Sequence, residues 1–148
     1  MLKGIPAVIS PELLKVLAEM GHGDTIVIGD AHFASTAFAK EGKLVRADGV
    51  SAAKMADAIL TLMPLDGWAE HSVYSLGISD GQGGFQVGNA VTEILEVVKA
   101  HDEKAYETAI TVDRFEFYDM TKKAYAVLAT GEADHYGCVM LQKGVVGA

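Results

Sequence analysis

Between Met20 and Phe33 the chain reads Met-Gly-His-Gly-Asp-Thr-Ile-Val-Ile-Gly-Asp-Ala-His-Phe, placing two histidines and two aspartates around one short apolar run. An imidazole titrates near neutrality and suits general acid or base work where a carboxylate and a cleft lie close by. His22 stands between Gly21 and Gly23, two residues before Asp24, with little side-chain cover and much backbone freedom. The same setting describes a loop histidine just past a helix end, where the dipole favours a positive ring, and pattern alone favours that plainer reading. Asp30 follows the apolar run, so its carboxylate either caps the next turn or points into a crevice. Asp24, beside a glycine, reads as a turn or capping residue. His32 could join Asp30 at a metal, but neither His-x-x-x-His spacing nor a cysteine pair is present, and no metal site is expected. A metal-dependent hydrolase using His22, Asp24, Asp30 and His32 would require bound metal.

Other chemistries find less support. Gly81, Gly83 and Gly84 are not followed by Lys-Ser or Lys-Thr and do not form a dinucleotide fingerprint. Ser35 and Ser72 sit in no nucleophile elbow. Cys138 opens an apolar run with no cation beside it and reads as a buried, inert thiol.

The elements around these residues alternate. Ser10 is a good N-cap, Pro11 suits the first helical position, and Leu13, Leu14, Leu17 and Met20 recur at helical spacing until Gly21, expected as a left-handed cap. Residues 25–28 are β-branched and apolar on consecutive positions, as in a strand covered on both faces. Asp30 thus falls beyond a strand's carboxyl end, where open α/β sheets form their ligand crevices. Residues 31–43 read as a loop, Val45 as part of a short strand with a turn at 47–49, and 51–63 as a helix capped by Ser51 and ended by Pro64. Residues 71–78 have strand composition, 79–84 form a polar glycine-rich loop, and 89–100 carry an apolar helical stripe. Further on, 110–112 reads as a strand, 114–123 as a helix, 124–130 as a buried strand and 139–142 as another. The pattern predicts an α/β fold: one three-layer domain spanning residues 1–148, with a mixed, largely parallel sheet between helices.

Twenty acidic residues against twelve basic ones leave a net charge of −8, without any lysine or arginine cluster. Nucleic acid and anionic membrane surfaces are poor partners for such a chain. No apolar run reaches the ~18 residues of a membrane helix, no secretory signal is visible at the start, and Cys138 is the only cysteine, so a cytoplasmic location is expected. Half of the residues are hydrophobic, which is compatible with subunit contacts.

Several blocks occur together and in order: Leu2-Lys3-Gly4-Ile5, Ser10-Pro11-Glu12-Leu13-Leu14, Met20-Gly21-His22-Gly23-Asp24, Asp30-Ala31-His32-Phe33, Arg46-Ala47-Asp48-Gly49, Arg114-Phe115-Glu116-Phe117-Tyr118, Thr130-Gly131-Glu132, Tyr136-Gly137 and Lys143-Gly144-Val145. In this combination the chain resembles the RbsD/FucU sugar mutarotase family, in its L-fucose mutarotase branch. The likeness is strong at both ends and weak from about Leu65 to Val112. It implies a cofactor-free isomerase that interconverts anomers or ring forms of a free monosaccharide, most readily L-fucose, and a ring-shaped homo-oligomer, commonly a decamer. By the same resemblance His22 is the proton donor, Asp30 accepts hydrogen bonds from sugar hydroxyls, Arg114 donates to them, and Tyr136 lines the pocket beside Gly137. Read without it, Arg114 is equally a surface ion pair and Tyr136 a core or interface aromatic. The branch usually carries Tyr-Gly-Asn where this chain has Tyr136-Gly137-Cys138. A thiol thereby replaces an amide at a position expected to touch the sugar, which bears on the preferred hydroxyl pattern. Two further readings stay open: a non-catalytic sugar-binding or transport-associated protein on the same scaffold, and a mutarotase for another sugar such as D-ribose.

Overall fold

The computed structural model describes residues 1–40 and 43–148; Glu41 and Gly42 lie outside the described residues. Helix α1 (Pro11–Glu19) begins as its sequence requires, with the Ser10 hydroxyl accepting from the Leu13 N–H at 3.1 Å and Leu13, Val16 and Leu17 buried. Its end differs from expectation. Met20 turns extended and buries its side chain, and the Gly21 N–H donates to the Asp24 carboxylate at 2.8 Å. Because a side chain takes this N–H, no left-handed residue is needed at Gly21; the left-handed glycine is Gly23, with φ of 87°.

Strand β1 (Thr25–Gly29) follows, buried almost throughout. A short helix, α2 (Ser35–Phe38), lies within the stretch expected as a loop. Strand β2 (Lys43–Ala47) leads to α3 (Ala52–Leu62), capped by Ser51 as anticipated. Next come β3 (Val73–Leu76) and a hairpin of β4 (Ile78–Ser79) and β5 (Phe85–Gln86), which closes across the glycine-rich 79–84 segment. Helix α4 (Asn89–His101), the short α5 (Glu103–Glu107), β6 (Ile110–Val112), α6 (Arg114–Lys122), β7 (Ala126–Thr130) and β8 (Val139–Gln142) complete the chain. Helix α5 was not expected: its five residues are too few to show a helical period.

Six strands form one sheet in the order β2-β7-β1-β8-β3-β6. All neighbours pair in parallel except β8, which runs antiparallel to both β1 and β3. The sheet is therefore mixed and largely parallel, as its alternating elements predict. Successive residues of β1 serve opposite faces. Ile26 and Ile28 join Leu13, Met55, Ile59 and Ile94 in the larger core, beneath α1, α3 and α4. Val27 points the other way and packs in the smaller core with Phe117 of α6, Leu76 and Met140. Among the described residues, no helix is long and apolar enough to cross a membrane.

The one antiparallel strand decides what stands at each end of β1. Val139 pairs with Ile28, so the residues just before β8 arrive at the carboxyl end of β1; Gln142 pairs with Thr25, so the residues at the close of β8 arrive at its start. Helix α6 starts right after β6, whose direction matches that of β1, which brings Arg114 to the same edge as Asp30.

Candidate active site

At the carboxyl end of β1, Asp30 is buried, with only 4% of its surface exposed. Its Oδ1 accepts from the His32 N–H at 2.8 Å, and its Oδ2 accepts from the Gly137 N–H at 2.9 Å and from the Cys138 thiol at 3.5 Å. An ionised carboxylate offers about four lone-pair positions, so three donors leave about one for a ligand. Gly137 is needed for this approach. A Cβ there would lie 3.0 Å from the Ala90 Cβ and 3.4 Å from the Asp30 Cβ, tight enough to push the loop off the carboxylate.

Arg114 opens α6, whose N-cap Asp113 accepts from the Phe115 and Glu116 N–H groups. Its guanidinium lies 4.8 Å from the centre of the Phe115 ring, and among the described residues it enters no ion pair. A cation at a helix N-terminus is disfavoured by the dipole, so this fork is held without a local electrostatic gain. Tyr136 is 41% exposed and, among the described residues, is the only non-glycine with positive φ, at 55°. Such a conformation costs about 1–3 kcal/mol and persists only where its surroundings impose it. Asp30, Arg114 and Tyr136 wall one crevice of about 400 Å³ together with His32, Leu76 and His135. Arg114 and Tyr136 also wall an adjoining hollow of about 320 Å³. Cys138 is fully buried under Asp30 and takes no part in the wall of either crevice. Burial, followed by the negative charge of Asp30, pushes its thiol well above the ordinary range, in keeping with an inert group.

His22 is at the other end of β1. Its Nε2 meets the Asp66 Oδ2 at 3.0 Å, and its ring packs edge-on against Trp68 with centroids 5.1 Å apart. Asp66 is 6% exposed and also accepts from the Gln142 amide at 2.9 Å and the Trp68 N–H at 3.1 Å. Burial alone would raise its carboxyl, but the Gln142 amide, the Trp68 N–H and the His22 ring outweigh it and hold the group below its ordinary value. An ionised Asp66 can only accept, so the His22 Nε2 carries a proton and Nδ1 is the ring nitrogen that Asp66 does not engage. The turn is fastened by Lys143, whose Nζ donates to the Leu17 and Met20 carbonyls at 2.8 and 2.6 Å, while its backbone bonds to Gly23 and Asp24.

Asp66, Trp68 and Gln142 were not foreseen. Asp66 precedes Gly67, a pattern that signals only a turn, and it lies 44 residues from His22. The structure thus gathers Asp30, Arg114, Tyr136, Gly137 and Cys138 at one end of β1 and places His22 at the other. With a rise of about 3.3 Å per residue, the run from Thr25 to Asp30 holds the two ends roughly 17 Å apart. His22 and Asp24 are separated in the same way from Asp30 and His32, so these four do not form one metal site within a single copy.

A family model described as the RbsD / FucU transport protein family matches residues 3–146. The chain belongs to this family. Among family members, it is 43% identical to a fucose mutarotase of Mus musculus, over 98% of this chain and 95% of that protein. It is 44% identical to an L-fucose mutarotase of Glaesserella parasuis serovar 5, over 98% and 96% of the two chains. The crystal structure of the fucose mutarotase of Streptococcus pneumoniae in complex with L-fucose superposes with a TM-score of 0.88 at 41% identity, covering 98% of this chain and 99% of that one.

Proposed function

We propose that this chain is an L-fucose mutarotase, an isomerase that opens and recloses the ring of the free sugar. The observation that carries this reading is the pairing of two prepared half-sites with near full-length likeness to fucose mutarotases. Opening a cyclic hemiacetal needs a proton given to the ring oxygen and one taken from the anomeric hydroxyl, with no redox change, so the reaction calls for no cofactor. In its imidazolium form, with Nε2–H held by Asp66, His22 donates the Nδ1 proton to the ring oxygen and recovers it when the ring recloses. Asp30 accepts from a sugar hydroxyl on its remaining lone pair, and Arg114 donates to others. Tyr136, partly exposed and walling the same crevice as Arg114, relays through its hydroxyl to water the proton that leaves the anomeric hydroxyl. Cys138 acts from beneath, through its contact with Asp30.

A monosaccharide cannot span the length of β1, so His22 of one copy works with Asp30, Arg114 and Tyr136 of the next. Exposed aromatic residues at both ends support such a contact: Trp68, 69% exposed, beside His22, and Phe115, 62% exposed, beside Arg114. Head-to-tail contacts between unlike surfaces give rings where the rotation between copies closes, the arrangement that the decamer implied by the family resemblance calls for. A cytoplasmic site of action fits the single buried cysteine.

Saturation-transfer NMR on L-fucose tests the reading. The protein is expected to accelerate exchange between anomers, and His22→Ala to reduce that acceleration on the order of a hundredfold or more. Full activity in a folded His22→Ala variant would remove His22 from the mechanism. Binding of fucose in calorimetry without faster exchange would make the chain a sugar-binding protein instead.

A further inference from the structure

His32 lies in the sequence next to the Asp30 turn, yet its side chain reaches across to the loop that carries Tyr136. Its Nε2 meets the Ala133 carbonyl at 3.0 Å. A carbonyl only accepts, so Nε2 carries the proton and the neutral ring has its bare nitrogen at Nδ1. The ring also packs against His135, the residue just before Tyr136, with centroids 4.8 Å apart. Two backbone bonds brace the same junction: the Ala31 N–H donates to the Glu132 carbonyl at 2.8 Å, and the Gly137 N–H to Asp30 at 2.9 Å. Tyr136 is thus held between a pinned segment at 132–135 and a pinned residue at 137. It is also where the backbone departs from its preferred region, with φ of 55°.

We propose that His32 is a positioning residue for Tyr136: its Nε2–H bond to Ala133 and its packing on His135 clip the 132–136 loop to the Asp30 turn and impose the left-handed backbone that aims the Tyr136 hydroxyl into the crevice. The clip rests on the mutarotase reading only where catalysis is its readout, because the backbone geometry can be examined without activity. The bond from the His32 backbone N–H to Asp30 is open to Gln and Leu at this position alike, so the carboxylate itself stays in place in both variants.

Two variants separate the bond from mere bulk. His32→Gln keeps an N–H donor near the position of Nε2, while His32→Leu fills similar space with none. His32→Leu is expected to lower kcat for fucose anomer exchange by about fivefold to tenfold, the loss of one hydrogen bond. KM should stay within about twofold, since Asp30 and Arg114 are untouched, and His32→Gln should recover most of kcat. Added to Tyr136→Phe, His32→Leu should cost nothing more, because a clip that acts through the tyrosine hydroxyl has nothing left to position. A crystal structure of His32→Leu should show Tyr136 relaxed to negative φ, whatever the activity. Retention of φ near +55° in that variant, equal loss in the Gln and Leu variants, or a full additional loss in the Tyr136→Phe background would each overturn the proposal. Unimpaired exchange in Tyr136→Phe alone would instead remove that tyrosine from the mechanism, leaving the crystal structure to decide the clip.

Discussion

His22 and Asp66 behave as one unit. The carboxylate accepts from three donors and imposes the tautomer that leaves Nδ1 of His22 outward. Replacing it with an amide removes the charge that supports an imidazolium and allows the amide N–H to face Nε2, which would install the opposite tautomer. Asp66→Asn should therefore reduce anomer exchange on the order of a hundredfold while fucose binding, which the proposed function assigns to Asp30 and Arg114, stays near normal. The same pair makes stability depend on pH. The Asp66 carboxyl is lowered in the folded state, so its contribution is fully present above the ordinary carboxylate range, at about 4, and is lost as pH falls through the lowered folded value. Urea unfolding of wild type and Asp66→Asn should differ at neutral pH, and the gap should narrow as pH falls below the ordinary carboxylate range; a gap that stays constant through that range would count against this account.

At the scale of elements, α6 carries Arg114 at its first position and Phe117 one turn later, and the fully buried Phe117 ring is what seats the helix on the sheet. Truncating it leaves a cavity in the smaller core, which Leu76, Val112 and Met140 line. Phe117→Ala should cost ~3–5 kcal/mol in chemical denaturation and weaken fucose binding through a loosened Arg114, although Phe117 is buried and does not line the crevice. Unchanged affinity in a variant that is measurably destabilised would show that Arg114 is set by its own cap rather than by the helix seat. Strand β8 has a comparable role along its length. Its start delivers Tyr136, Gly137 and Cys138 to Asp30, and its end delivers Gln142 and Lys143 to His22.

Across the whole molecule, the length of β1 is the decisive distance. It is long enough to keep His22 and the Asp30 crevice apart within a chain, and it places each of them beside an exposed aromatic residue. Two inactive variants should then rescue each other. After subunit exchange, an equal mixture of His22→Ala and Asp30→Asn should regain about a quarter of wild-type exchange, the chance that a contact joins an intact His22 to an intact Asp30 in a closed head-to-tail ring. No recovery in a mixture that native mass spectrometry shows to be co-assembled would show that His22 and Asp30 do not share a site across the contact.

Much of this was legible in the residues themselves. The consecutive β-branched positions at 25–28, the Ser10-Pro11 and Ser51 caps and the apolar stripe of 89–100 are local signals, set by short-range sterics and hydrogen bonding, and the elements formed where these signals lie. The ordered motif blocks were sufficient to place the chain in the RbsD / FucU family. Short elements such as α2 and α5 left no readable period, and the end of α1 depended on Asp24 rather than on a left-handed glycine. What only the tertiary structure decided is which groups meet. Asp66 reaches His22, Tyr136 and Gly137 reach Asp30, and His22 stays away from Asp30, because sheet order, the single antiparallel strand and its register set those distances. Such pairings join residues 44 and 107 positions apart, beyond the reach of any periodicity in the chain.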